Sequence, residues 1–125
     1  MSYDSPSIQM HYQFAAEDFT SPLSRTIRGP SGRVGTLTHI GVAVTTTFTA
    51  DTTPGYVRVG TSGDADAYAE LDMATSAADT YKQDDATAII ASLLPADSDI
   101  VLATVAPTGG TPAGVGDIHI IIAWC

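Results

Sequence analysis

Between Ile8 and Phe14 apolar and polar residues alternate without a break. Ile8, Met10, Tyr12 and Phe14 fall on one side, and Gln9, His11 and Gln13 on the other. A period of two is that of a half-buried strand. Residues 35–50 carry the strongest strand signal, because Val42, Val44, Thr45, Thr46, Thr47, Phe48 and Thr49 are β-branched or aromatic almost without interruption. A helix would lose side-chain entropy repeatedly there. Gly41, inside this run, marks a bulge or a close backbone approach. Asp51-Thr-Thr-Pro54-Gly55 reads as a turn in which proline presets one torsion and glycine accepts the other. Tyr56, Val57, Arg58 and Val59 then resume as a strand.

Residues 60–66 form a second polar turn, and Tyr68 to Met73 a short strand. Residues 86–94 (ATAIIASLL) read as a strand feeding Pro95, with a short helix as the alternative. Two longer apolar runs, 99–106 (DIVLATVA) and 115–124 (VGDIHIIIAW), flank the turn-rich PTGGTPAG. They predict an antiparallel hairpin. In the second run Ile118, Ile120, Ile122 and Trp124 share one side, which predicts a core strand with Trp124 sealing one end.

Two stretches break the pattern. Residues 1–7 are polar and read as an N-terminal arm. Residues 15–34, punctuated by Pro22, Gly29, Pro30 and Gly32, read as a long ordered loop, and loops of that length are usually functional. About seven or eight strands at regular spacing predict an all-β, antiparallel β-sandwich or jelly roll over residues 8–125. No repeat of a length that would build a solenoid or propeller is evident.

Composition sharpens this picture. Apolar residues make up 44% of the 125 and charged residues only 15%, a mixture that folds rather than stays disordered. The net charge is −9, which argues against nucleic acid or an anionic membrane as the partner. The charge is uneven. Residues 1–34 set Asp4, Glu17 and Asp18 against Arg25, Arg28 and Arg33 and balance, so the remainder carries the whole −9. The arginines read either as an ordinary solvated loop or as a docking segment for an acidic or carbonyl-rich surface. Phe19, Leu23 and Ile27 lie among them. They read either as apolar anchors of the same interface or as loop residues packed on the domain's own core. Cys125 is the only cysteine, so no intrachain disulfide is possible. The start, MSYDSPSIQM, has no basic region followed by an apolar run, and the expectation is synthesis in a reducing cytosol.

Candidate chemistry is thin. His11, His39 and His119 are scattered, with no metal-ligand spacing. The acids of 63–72 lack the ligand order of a calcium loop and read as a solvated turn. No GxSxG surrounds a serine, and neither Gly109-Gly110 nor Gly29-Pro-Ser-Gly32 is followed by a phosphate-binding lysine. Cys125 has no visible cationic neighbourhood to activate it. The residues therefore predict no catalytic, cofactor or metal site, and a binding or assembly protein rather than an enzyme.

From about Gly29 to Trp124 the order of phrases resembles the head-decoration, or cement, proteins of tailed bacteriophages. GPSGRVG is followed by HIGVAVTTTFT, TTPGYVRVGT, DADAYAELDM, LPADSDI and VAPTGGTPAGVGDIHIIIAW. The most specific pieces are TTPGYVRVGT with DAYAEL, and APTGGTPAG before the last apolar run. The resemblance implies a jelly-roll-like sandwich on the outside of the capsid. There it would bridge subunits of the major capsid protein as a non-enzymatic homo-oligomer, trimer or dimer. The alternative from the residues alone is a carbohydrate- or ligand-binding β-sandwich used in host adhesion. It would draw on Tyr3, Tyr12, Tyr56, Tyr68 and Tyr81.

Overall fold

A computed structural model describes residues 8–83 and 88–125. The expected arm, 1–7, and the start of the ambiguous 86–94 run lie outside the described residues. Nine strands are present among the described residues: β1 (Ile8–Asp18), β2 (Ser24–Ile27), β3 (Gly35–Thr49), β4 (Tyr56–Gly60), β5 (Ala69–Asp72), β6 (Tyr81–Gln83), β7 (Leu93–Leu94), β8 (Ile100–Val105) and β9 (Ala113–Trp124). They form two antiparallel sheets. One has the order β1-β9-β3-β6, with the short β7 also on β3, and the other the order β2-β8-β4-β5.

This is the strand order of a jelly roll. The chain behaves as one long folded ribbon: β4 pairs β5 at its tip, β3 pairs β6 and β7, β2 pairs β8, and β1 pairs β9. The ribbon then wraps so that alternate pairs fall in opposite layers. The predicted β8–β9 hairpin does not exist for this reason. β8 is held between β2 and β4, and β9 between β1 and β3. The segment between them crosses from one sheet to the other. Gly109 and Gly110, both at positive φ, sit so close to Thr52 and Asp51 that a side chain would not fit.

Residues 15–34 are likewise not one long loop. β1 runs on to Asp18 through a bulge between Phe14 and Glu17, where Ala16 takes φ 53° and its N–H reaches the Asp117 carboxylate at 2.7 Å. β2 occupies 24–27. Its four residues are too few to show a period, and β8 supplies its pairing. The described part of the 86–94 run, residues 88–94, yields only the two-residue β7 and an isolated bridge from Ile89 to Ala69. Gly55 does not take the expected positive φ. It is buried under the Val105 carbonyl and the Phe48 ring, where its small size is what counts.

The core lies between the layers. Along β9, Ile118, Ile120, Ile122 and Trp124 are at most 1% exposed. They face Val57, Val59, Leu71, Ile100 and Leu102 of the other sheet, all buried. Trp124 closes one end. A Cβ on Gly29 or Gly35 would come within 2.5 and 2.6 Å of its ring, and its indole N–H donates to the Tyr12 hydroxyl at 3.2 Å. Phe19 and Phe48 close the other end, edge to face with centroids 4.7 Å apart.

Candidate functional site

The arginine segment is built on β2, which runs along the edge of the second sheet. Pairing places Arg25 opposite Leu102 and Ile27 opposite Ile100, so both have the inward parity of those core residues. Ile27 is 5% exposed, Leu23 7% and Phe19 0%. Phe19 packs on Phe48, and the Leu23 N–H donates to Thr104 Oγ1 at 2.7 Å. Reading these three as interface anchors is thereby corrected: they are core residues of the domain itself. A short strand paired to β8 lies within a segment that proline and glycine had disguised as a loop.

The arginines stay at the surface. Arg25 is exposed on the edge strand. Arg28 donates to the Asp97 carbonyl at 2.6 Å and pairs with Asp99 at 3.3 Å, both side chains being about two-thirds exposed. An ion pair that open to solvent adds little stability. It does, however, tie the β2–β3 loop to the turn before β8, and the Gly32 N–H reinforces this by donating to the Asp97 carboxylate at 2.9 Å. Arg33 is half-buried. Directly after it Val34 is 38% exposed, and Leu93, opposite Thr36 on β7, is 63% exposed. The apolar surface beside the arginines therefore comes from Val34 and Leu93, residues the chain pattern did not single out.

A second cluster lies on the outer face of the first sheet. β1, β9 and β3 are neighbours, and the register sets His11 and His39 on either side of Ile121, with His119 one diagonal step away. His11 Nε2 and His119 Nδ1 share a hydrogen bond of 2.8 Å, with ring centres 5.0 Å apart. His39 Nε2 and the Tyr81 hydroxyl share another of 2.6 Å, the two rings lying parallel. Tyr81 rests over Gly41, whose missing side chain makes room for its hydroxyl. Neither a bulge nor a close backbone approach is found at Gly41; what approaches it is the Tyr81 side chain. Desolvation pushes the His119 pKa below the ordinary imidazole value and His11 and His39 add to this, against a smaller opposing pull from Asp117. Burial raises the Tyr81 hydroxyl.

Three histidines far apart in sequence thus share one face. Part of the signal was present in the alternation of β1 and β9, where His11 and His119 take polar positions. Bringing them together required knowing that the first strand pairs with the last. Among the described residues no three His, Cys, Asp or Glu side chains are grouped to hold a metal ion. Of the acids in residues 63–72, Glu70 and Asp72 serve local structure. Asp72 accepts from the Ala74 N–H at 2.7 Å, and Glu70 pairs with Arg58 at 2.7 Å while Arg58 lies over the Tyr56 ring. Cys125 is exposed.

Compared with known proteins, the chain matches no family model, no curated protein and no solved structure.

Proposed function

We propose that this chain is a capsid decoration protein, which binds the outer surface of a phage head and holds neighbouring major capsid subunits together. One observation carries the reading. The arginine-bearing β2–β3 segment is pinned in place through Asp97 and Asp99 and flanked by exposed Val34 and Leu93, on a chain whose net charge of −9 falls on residues 35–125. Arginine beside apolar surface is a composition that grips protein, and an ordered loop spares the entropy of fixing it on binding. The phrase-level resemblance to decoration proteins supports the same reading. So does the jelly roll, an architecture shared by viral capsid and lectin domains, although a fold alone does not assign a function. The chain is made in the host cytoplasm, acts on the capsid exterior as a homo-oligomer, and performs no catalysis.

Co-sedimentation with heads assembled from the major capsid protein tests this. The wild-type chain saturates the heads and leaves free DNA unbound. Replacing Arg25, Arg28 and Arg33 together with alanine, or Leu93 with aspartate, lowers occupancy at unchanged fold. Full occupancy by both variants would remove this segment from the account.

A second reading rests on Tyr81, 45% exposed beside the imidazoles of His39 and His119. An exposed ring with hydrogen-bonding groups around it is a surface on which a sugar can stack. Saturable hits on a glycan array, lost in Tyr81→Ala while head binding persists, would favour it.

A further inference from the structure

A β-sheet edge is a row of unpaired N–H and C=O groups, and soluble proteins blunt such edges. Three of the edges here are blunted in recognisable ways. On the far side of β3, β6 has three residues, one of them Lys82, and β7 has two. β2 has four residues including Arg25, between Pro22 and Arg28. β5 has four residues including Glu70 and Asp72, and is covered by the chain at 88–89, whose Ala88 carbonyl accepts from the Glu70 N–H at 2.8 Å.

β1 differs. It is 11 residues long, and among the described residues no strand pairs with its outer side. From Ile8 to Ala16 it contains no Asp, Glu, Lys, Arg or Pro, and its bulge comes only after Phe14. Its apolar side is also incompletely covered. Ile8 sits opposite Trp124 and Met10 opposite Ile122, both core residues, yet Ile8 is 39% and Met10 38% exposed. The start of the first strand therefore overhangs the sandwich, its backbone edge free and Ile8 and Met10 open, while Tyr12 and Phe14 pack on the core.

We propose that the free edge of β1 pairs antiparallel with the β1 of a second copy of this chain, about a twofold axis through His11. The midpoint of residues 8–14 is His11. Pairing about it sets Ile8 against Phe14 and Met10 against Tyr12 on the apolar side, and Gln9 against Gln13 on the polar side. Every pair is like with like, and the overhanging Ile8 and Met10 gain cover. Charge permits this occupant at β1. Each copy carries −9 and repels another over most of its surface, but residues 8–16 of β1 carry no carboxylate, so two copies can meet there without opposing acids. An isologous contact of this kind closes on itself as a dimer. The inference stands apart from the capsid reading, because it concerns the isolated chain in solution.

Sedimentation equilibrium of the full chain at increasing concentration tests it. The wild type shifts from monomer to dimer. The register makes His11 meet its own copy, so His11→Lys and His11→Glu each place like charges face to face and weaken the dimer by about tenfold or more. Mixing the two variants pairs Lys with Glu and restores association as a heterodimer, which also shows that both fold. A wild type that stays monomeric to millimolar concentration overturns the proposal. So does a dimer that neither variant weakens, or one that both weaken and mixing fails to restore.

Discussion

The two faces of β9 differ in almost everything except their backbone. On one, Ile118, Ile120, Ile122 and Trp124 are dry and belong to the apolar core, with Trp124 donating to Tyr12. On the other, Asp117 accepts a backbone N–H and His119 shares a hydrogen bond with His11, Asp117 and His119 being half-open to solvent. One strand therefore holds the fold together by volume on one side and by hydrogen bonding and titration on the other. The lesson concerns magnitude: filled space decides whether the sandwich stands, and the polar face adjusts it.

The largest effect is expected from Trp124→Ala. Emptying that end of the core should cost about 3–5 kcal/mol in urea unfolding, whereas Ile121→Ala on the half-open face should cost clearly less. Equal losses would break the contrast. Next, Gly35→Ala should cost about 1–3 kcal/mol, since its Cβ would press on the indole ring 2.6 Å away. In a Trp124→Leu background that cost should shrink, giving a measurable coupling energy. Tyr12→Phe removes the acceptor for the indole N–H and should cost about 1 kcal/mol by the same assay. The smallest effect belongs to the outer face and depends on pH. His119 has its pKa lowered in the folded chain, so the unfolded chain takes up a proton first as pH falls. Stability from this group is whole above the ordinary value of 6.5 and declines as pH drops below it towards the depressed value. His119→Gln should flatten that part of the stability-versus-pH curve. An unchanged slope would assign the dependence to other groups.

What could be read from the chain follows the same division. The alternation of β1 and of β9 was legible, because burial on one side writes its own period into the residues. Trp124 as a seal followed from its place at the end of that period. β2 was not legible: Ser24, Arg25 and Thr26 look like loop residues, and only Ile27 reports the buried side. The β8–β9 hairpin failed for a different reason. Neighbouring apolar runs with a glycine-rich link look alike whether they pair or cross between layers, and the choice is made by β1 and β2, which lie a hundred and about eighty residues away. The arginine segment was placed correctly at the surface, but its apolar companions were not, because Phe19 and Leu93 have the same chemistry and only the fold tells inside from outside. The histidine face stayed hidden because proximity there depends wholly on strand register.

The pairing of Ile8 with Trp124 means that the two ends of the described ribbon emerge side by side. A tether pulling on both would load the β1–β9 ladder at its terminal rung and peel it open one hydrogen-bonded pair after another, instead of straining all rungs at once. Single-molecule stretching from the ends should thus give way at low force, while pulling from Asp18 and Cys125, at opposite ends of that ladder, should meet a far stiffer response.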